Sequence, residues 1–350
     1  ERAPQRRYHR GRACGHVLGY VGGVERLALD DPQLLRLPGT RIGKAGVELG
    51  MEEELRGVAG TRQLEVDARG RAVRAIGETP PRDGRDVVLT IDTALQARIM
   101  ERLGRERRAA LVAMDAASGE VLAMASVPAF DPDDLVGRGA AEAWQRQIQD
   151  IDKPMVNRAI SGLYPPGSTF KMVTALAALE AGVVSARDRF VCDGGFDLAD
   201  QHFRCWNRSG HGRVDLHRAL QVSCDVYFYE LASKLGIGAL SRMARRLGLG
   251  ERFDCGIALQ KSGVVPDADW KRGEFGSGWL GGETVLAGIG QGYVSATPLQ
   301  LAVMTARIAS GRRILPTLIR YERGARPLPD GDAFQPLDIA PAALEAVRRG

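Results

Sequence analysis

A serine and a lysine stand three residues apart in the run Pro165 to Lys171, which reads Pro-Pro-Gly-Ser-Thr-Phe-Lys. A serine hydroxyl is a weak nucleophile until a base takes its proton, and lysine has the pKa flexibility for base work that arginine lacks. Because three residues span just under one helical turn, Ser168 and Lys171 should share one face of a helix. The pair predicts nucleophilic acyl transfer. The simpler interpretation is a helix N-cap serine followed by a solvated lysine.

A helix must position this pair. From Lys171 onward, apolar residues recur at helical spacing at Val173, Leu176 and Leu179, and Gly182 is a C-terminal stop signal. Two prolines and a glycine precede the serine, which places its hydroxyl at the start of the helix. Free backbone N–H groups and the positive end of the helix dipole could stabilise an oxyanion there.

A second group of chemical side chains is the run Ser223-Cys224-Asp225. In a non-helical segment, a spacing of two points Ser223 and Asp225 in similar directions and Cys224 away from them. A second hydroxyl beside a serine–lysine pair could relay a proton to a leaving amine, and Asp225 could hold the substrate or the lysine. Alternatively, Ser223 or Asp225 caps the Tyr/Phe-rich helix that follows.

The composition narrows the class of protein. The 350 residues are 44% hydrophobic and 26% charged, which is typical of a globular chain with room for two domains. The net charge of +5 comes from dispersed residues, so we expect no nucleic acid partner, while an anionic surface or polymer remains open. No run of about 18 apolar residues is present. Because Glu1 is not an initiator methionine, we expect a membrane anchor to have been cut away from this chain.

The order of the predicted elements indicates an α+β fold. The turn-rich run Thr79 to Gly84 suggests a boundary between a small α+β module at 1–82 and a larger domain at 83–350. In the larger domain, helices are expected to pack on an antiparallel sheet. The predicted strands are His16 to Val21, Gln63 to Val66, Val87 to Ile91, Ala109 to Asp115 and Val121 to Ser126, and the predicted helices are Val47 to Leu55, one that Asp92 caps, and one from Pro298 that Thr297 caps.

The serine–lysine pair followed by Ser-x-Asp matches the signature of penicillin-binding proteins and serine β-lactamases. From about Arg7 to its end, the chain resembles the elongation-type class B penicillin-binding proteins, in particular the penicillin-binding protein 2 group. Asp225 favours the elongation branch, because the septal branch usually has Asn there. The matching stretches are His16 to Tyr20, Gly43 to Glu48, Leu89 to Asp92, Tyr164 to Lys171, Gly210 to Arg213 and Gly288 to Gln300.

The resemblance implies a transpeptidase domain of the penicillin-binding and serine β-lactamase-like fold, with residues 1–82 as part of a pedestal of the dimerisation type. It implies a D,D-transpeptidase that cross-links peptidoglycan stem peptides through a serine acyl-enzyme, at the periplasmic side of the inner membrane, and that β-lactams acylate. Ser168 would be the nucleophile, Lys171 the base, Ser223 the proton relay and Asp225 the group where Asn is more common. Catalysis would need no cofactor. The implied partners are a SEDS-family glycan polymerase and other membrane proteins of the elongation complex.

The family's third motif, Lys-Ser/Thr-Gly, departs from the expected order. Lys261-Ser262-Gly263 spells it, yet this run precedes Gly290-Gln291-Gly292, which the family's third motif follows. Pro266 also makes the segment a poor edge strand, because proline lacks an N–H. We therefore expect the true motif beyond Gly350 and the transpeptidase domain to be incomplete at its C-terminal end. Two alternatives to a transpeptidase are a β-lactamase-like hydrolase and a non-catalytic β-lactam sensor or scaffold.

Cysteines cluster in the sequence between the two catalytic motifs. Three thiolates and an imidazole suit a closed tetrahedral Zn²⁺ site, which would clamp a loop with little apolar material of its own. A disulfide or unpaired buried cysteines are the alternatives. Some elongation-type relatives resemble this chain in carrying metal ligands at corresponding positions, which favours a structural zinc. The predicted ligands are Cys192, Cys205, His211 and Cys224, with His202, Asp193 and Asp200 in reserve.

Overall fold

The structure of the chain is a computed structural model that describes residues 6–24, 40–320 and 334–350. Helices and strands mix along the chain, which confirms the α+β class. The helices are α1 (Gly11–Leu18), α2 (Gly46–Gly50), α3 (Glu52–Arg56), α4 (Thr93–Leu103), α5 (Ala140–Gln149), α6 (Arg158–Ser161), α7 (Lys171–Glu180), α8 (Leu216–Gln221), α9 (Asp225–Leu235), α10 (Ile237–Arg246), α11 (Ala268–Phe275), α12 (Gly281–Gly288), α13 (Pro298–Ser310) and α14 (Pro341–Arg349). The strands are β1 (Val21–Gly23), β2 (Arg41–Gly43), β3 (Thr61–Val66), β4 (Ala72–Thr79), β5 (Val88–Leu89), β6 (Ala109–Met114), β7 (Val121–Val127), β8 (Phe190–Cys192), β9 (Gly195–Leu198), β10 (Gln201–Arg204), β11 (Gly212–Val214) and β12 (Ile319–Arg320).

The N-terminal part is built from short elements. The strand β2 of the antiparallel pair β1 and β2 lies beside α2, and α2 also contacts α1. β3 pairs with β4 in a ribbon whose side chains are almost all exposed. The predicted strand from His16 to Val21 is wrong over most of its length, because residues 16–18 end helix α1. The helix forms because it buries Val17 against Val47 of α2 and Val121 of β7. This tertiary packing overrides the weak strand preference of a short apolar run.

Hydrophobic side chains from both parts of the chain pack together across the predicted domain boundary. One hydrophobic cluster contains Val17 and Val47 from the N-terminal part together with Val121, Leu299 and Val303 from the rest of the chain. A shared core of this kind holds the two parts together by removing apolar surface from water. The domain boundary placed at residues 82 and 83 stays a prediction.

The strands of the larger part form separate antiparallel pairs, one of which is a hairpin. β6 and β7 pair antiparallel, and the tight turn between them includes Gly119 with a φ of 77°, which suits a residue without a side chain. The carboxylate of Asp92 accepts hydrogen bonds from the N–H groups of Ala94 and Leu95 and so caps α4, as predicted. β5 pairs with β12 in a separate two-stranded sheet, which brings residues 88–89 and 319–320 together.

A helical core supports the serine–lysine helix. α7 packs against α9, α10 and α14, and most of its residues are buried. Three alanines of α7, at 175, 177 and 178, are small enough for the neighbouring helices to approach closely, while α9 contributes Tyr227, Phe228 and Leu231 to the same cluster. The Thr174 hydroxyl donates to the carbonyl of Gly288 at the end of α12 (2.7 Å). α7 is therefore fixed on several sides.

The helix that follows the glycine-rich run Gly288 to Gly292 starts as predicted. Thr297 caps α13, its hydroxyl accepts from the N–H of Gln300, and the Gln300 side chain accepts from the N–H of Thr297. In the described ranges, no helix combines the length and the apolar character that crossing a bilayer requires.

Candidate active site

Ser168 lies in a single 3-10 turn, Gly167–Phe170, that runs directly into α7. Gly167 has a φ of 57°, a left-handed conformation that glycine adopts without strain. Its N–H donates to the carbonyl of Gly290 (2.9 Å), so the glycine-rich run lies against the serine turn. The two backbones therefore approach each other closely beside Ser168.

Replacing Gly290 by alanine should disturb this approach. The added Cβ would lie 2.4 Å from the Gly167 carbonyl oxygen and 2.6 Å from the Phe170 Cβ, and Gly290 has a φ of 70°. We expect Gly290→Ala to lower the stability by about 1–3 kcal/mol, as strained or overpacked sites do, and to slow acylation of Ser168. Urea unfolding and reaction with a fluorescent penicillin measure the two effects. Gly273→Ala, at a helical position with free space around it, is the matched control and should be neutral or stabilising. Equal behaviour of the two variants would contradict this account.

Lys171 is almost fully buried, with 1% of its side chain exposed. Its ammonium group donates to the Ser223 carbonyl (2.9 Å), the Ser223 Oγ (3.0 Å) and the Asp225 Oδ1 (2.6 Å). Because an ammonium has three N–H donors, these contacts use all of them. The sequence places Lys171 on the same helix as Ser168, and the structure adds that its hydrogen bonds go to Ser223 and Asp225.

Ser223 connects Lys171 to Ser168. Its Oγ donates to the Ser168 Oγ at 2.8 Å, which completes a chain of hydrogen bonds from the lysine to the candidate nucleophile. Ser223 has a φ of 52°, which is uncommon for a residue with a side chain and is found where function or packing requires it. The prediction for Ser223-Cys224-Asp225 assumed a non-helical segment, and Ser223 lies in the turn between α8 and α9.

Asp225 is the first residue of α9, and its two carboxylate oxygens have different partners. Oδ1 accepts from Lys171, and Oδ2 accepts from the backbone N–H of Trp206 (2.9 Å). The indole Nε1 of Trp206 also donates to the carbonyls of Val222 and Ser223, at 3.1 Å each. Sequence reasoning missed Trp206, because the only signal was its position next to Cys205.

The structure brings the four predicted metal ligands together. The Sγ atoms of three cysteines and a ring nitrogen of His211 all lie within 4.8 Å of one another. The cysteines are Cys192, Cys205 and Cys224, and all three are buried and free of disulfides. His211 Nδ1 is 3.6 Å from Cys192 Sγ and 3.5 Å from Cys205 Sγ.

These distances fit a tetrahedral metal. Zn–S and Zn–N bonds of about 2.3 and 2.0–2.1 Å at tetrahedral angles separate the sulfur and nitrogen ligands by about 3.5 Å. Burial lowers the pKa of the His211 imidazole and so favours the neutral form that binds metal. Burial also raises the pKa of the Cys224 thiol, and the neighbouring Cys192 and Cys205 raise it further. A divalent cation would remove that penalty, because metal binding favours thiolates.

The reserve ligands lie apart from this group. His202 Nδ1 is 2.6 Å from Asp197 Oδ1 on the exposed hairpin of β9 and β10, and Asp193 Oδ1 accepts from the N–H of Gly195. Asp200 lies in the turn of the same hairpin and is not among the grouped ligands. The four primary ligands are therefore the set that the geometry supports.

Lys261 does not join the serine–lysine network. It lines a cavity of about 310 Å³ between the N-terminal part and the rest of the chain, together with residues such as His16 and Ile160. Its backbone N–H donates to the carbonyl of Ile160, and Val264 forms an isolated bridge with Ser295. Nothing in these contacts favours Lys261 as the third motif.

Comparison with known families gives two matches. Residues 109–346 match the penicillin-binding protein transpeptidase domain, and residues 1–89 match the penicillin-binding protein dimerisation domain. Among curated proteins, the chain is 38% identical over 335 residues to the peptidoglycan D,D-transpeptidase MrdA of Acinetobacter baumannii, covering 93% of this chain and 50% of the relative. The chain thus spans about half the length of this relative.

Solved structures show the same relationship. The penicillin-binding protein PBP2 of Helicobacter pylori, in its complex with MreC, matches with a TM-score of 0.86 and 31% identity, over 99% of this chain and 63% of that chain. Pseudomonas aeruginosa PBP2 in complex with WCK 5153 matches with a TM-score of 0.82 and 37% identity, over 99% of this chain and 74% of that chain.

Proposed function

The chain belongs to the penicillin-binding protein family, with that family's transpeptidase and dimerisation domains, and from this premise we propose that it is a peptidoglycan D,D-transpeptidase of cell elongation. The observation that carries the proposal is the continuous hydrogen-bond chain from Lys171 through Ser223 to Ser168. The 38% identity to MrdA of Acinetobacter baumannii supports the substrate class, which is the peptidoglycan stem peptide.

In the first half of the reaction, Ser168 Oγ attacks the carbonyl carbon of the penultimate D-alanine. Its proton passes to Ser223 Oγ while Ser223 gives its own proton to Lys171 Nζ. Lys171 can act as this base only as the neutral amine, because the ammonium form has no lone pair to accept a proton. The N–H of Ser168 lies near the start of the 3-10 turn that runs into α7, where no earlier carbonyl of that turn can accept it, so it could stabilise the oxyanion. When the C–N bond breaks, the nitrogen of the terminal D-alanine takes a proton from the same relay and leaves.

In the second half, an amine of a neighbouring stem peptide attacks the ester carbonyl. The relay takes one proton from this amine and returns one to Ser168 Oγ as the ester C–O bond breaks, so that the peptide cross-link forms and the enzyme is regenerated. Asp225 would keep Lys171 and the Ser223 turn in place during both halves. A β-lactam would enter by the first half alone and remain on Ser168.

We propose that the four-ligand group binds one structural Zn²⁺. Cys192, Cys205, His211 and Cys224 have the donor types, the burial and the spacing of a closed tetrahedral site. When bound, zinc would stabilise the loop between β10 and β11 and would take no part in acyl transfer. Cys224 lies between Ser223 and Asp225, so the same ion would also anchor the second catalytic motif.

We propose a location at the periplasmic side of the inner membrane, with a membrane anchor outside this chain. The related Helicobacter pylori protein in complex with MreC supports a partner in the elongation machinery. A SEDS-family glycan polymerase would deliver the glycan strands whose stem peptides this domain joins. The third motif, Lys-Ser/Thr-Gly, is proposed to lie in further sequence after residue 350.

The decisive experiment is the intact mass of the full-length protein after treatment with a penicillin. We expect the mass to increase by one penicillin per chain and the adduct to map to the peptide that contains Ser168. Ser168→Ala is the control and should gain no mass. A full-length protein that stays unmodified would remove the basis for an acyl-enzyme and leave the sensor or scaffold interpretation.

The lifetime of the adduct separates a transpeptidase from a hydrolase. A transpeptidase should keep the acyl group for many minutes, because its site does not activate water efficiently. Loss of the adduct within seconds, followed over time by the same mass measurement, would instead favour the β-lactamase-like alternative.

A further inference from the structure

Trp206 contacts the turn that carries Ser223 through three hydrogen bonds. Its indole N–H is shared between the carbonyls of Val222 and Ser223, and its backbone N–H donates to Asp225 Oδ2. The carbonyl of Ser223 therefore accepts from Trp206 on one side and from the Lys171 ammonium on the other. Two donors that converge on one carbonyl fix the direction of that peptide group.

The turn needs this support because its backbone is strained. α8 ends at Gln221 with Val222 as its C-cap, Ser223 has a φ of 52°, and α9 starts two residues later at Asp225. A left-handed conformation at a residue with a side chain persists only when its surroundings hold it. The orientation of this residue decides whether the Ser223 Oγ points at the Ser168 Oγ.

Burial does not explain the position of the Trp206 side chain, because 64% of it is exposed. A large apolar ring gains little free energy from such a site. One contact of the ring is a tilted packing against His211, with the ring centres 5.3 Å apart. Hydrogen bonds to the Ser223 turn, rather than removal from water, therefore account for where the indole lies.

We propose that Trp206 is a positioning residue, which holds the Ser223 turn in the geometry that links Lys171 to Ser168. This proposal rests on the proposed acyl transfer at Ser168. Trp206 acts through the carbonyls of Val222 and Ser223 and through the Asp225 carboxylate, and it touches no reacting atom. Its backbone N–H and its neighbour Cys205 would connect the same turn to the metal-binding group.

The test is Trp206→Phe in the full-length protein, because phenylalanine keeps an aromatic ring beside His211 and removes the indole donor. Acylation by a fluorescent penicillin at several concentrations separates the initial binding constant from the acylation rate constant. We expect the acylation rate constant to fall about tenfold, since a tenfold step corresponds to about 1.4 kcal/mol, the upper range of a net hydrogen bond. The initial binding constant, the melting temperature and the metal content should stay close to wild type.

The matched control is Trp279→Phe, which removes an indole hydrogen bond to Thr284 Oγ1 outside this network. We expect its acylation rate constant to stay within twofold of wild type. An unchanged rate constant in Trp206→Phe would overturn the proposal. A rate loss that is accompanied by lower melting temperature and lost metal would also overturn it, because it would show a structural role for Trp206.

A second measurement does not depend on acylation. Amide hydrogen exchange of the peptide that covers residues 220–228 should be faster in Trp206→Phe than in wild type, with the rest of the chain unchanged. Unchanged exchange in this peptide would overturn the positioning role even if wild type forms no penicillin adduct. A wild-type protein with no adduct but with the expected exchange difference would instead show that the proposed acyl transfer is wrong.

Discussion

Lys171→Met should lower the rate of acylation by penicillin about 10³-fold, within the range of about 10²–10⁴ that a positioned acid–base group contributes. Methionine keeps an unbranched side chain in the buried space but cannot take or give a proton. Ser223 Oγ would still be bonded to Ser168 Oγ, but no base would contact Ser223 to take the proton. The measurement is the second-order rate constant with a fluorescent penicillin.

The same substitution should also destabilise the protein. Asp225 would lose the closest partner of a largely buried carboxylate, and breaking a buried ion pair from one side costs about 3–5 kcal/mol. Lys271→Met is the matched control, because Lys271 forms another buried ion pair, with Glu283, outside the serine network. We expect Lys271→Met to lower stability by a comparable amount and to retain most of the acylation rate of the folded protein.

The double variant Lys171→Met/Asp225→Asn separates the two effects. Removing the unpaired charge should restore part of the stability, because a neutral amide costs less to bury than an unpaired carboxylate. It should not restore acylation, because no base is present. Recovery of the rate together with the stability would show that Lys171 has only a structural role and would contradict the proposed mechanism.

The local elements of the site could be predicted from sequence because their signals are local. The spacing of Ser168 and Lys171 and the caps at Asp92 and Thr297 depend on residues within a few positions of each other, and the structure confirms both caps and α7. The prediction failed at residues 16–18, where the helix is stabilised by contacts with β7 and α2. The periodicity of apolar residues in the sequence carries no information about contacts between distant parts of the chain.

The partners within the site could not be predicted in the same way. Lys171 reaches Ser223 because α7 packs against α9. This packing brings together residues that are more than 50 positions apart in the sequence. Trp206 gave no periodic or motif signal, because its role depends on a backbone N–H and on the direction of a strained turn. The four metal ligands were predictable by residue type, while their convergence to within 4.8 Å required the fold.

Full-length protein purified without a chelator should contain about one zinc per chain, and Cys205→Ser should lose it. A serine hydroxyl is a poor substitute for a thiolate, and metal binding to a structural site contributes several kcal/mol to folding. The loop between β10 and β11 should be affected most, because Cys205 and His211 both lie in it. Elemental analysis measures the metal, and thermal unfolding with and without a chelator measures its contribution to stability.

Cys255→Ser is the matched control for this prediction, because Cys255 is equally buried but lies outside the ligand group. If the cluster holds zinc, Cys205→Ser should lower the melting temperature much more than Cys255→Ser, and a chelator should lower that of wild type toward the Cys205→Ser value. If the cluster holds no metal, both variants only exchange a buried thiol for a hydroxyl and should behave alike. Metal-free wild-type protein whose mass is lower by two hydrogen atoms would show a disulfide instead.

Metal removal should also slow acylation, because Cys224 lies between Ser223 and Asp225. If a chelator removes the metal and leaves the acylation rate unchanged, the metal site and the Ser223 turn are independent of each other.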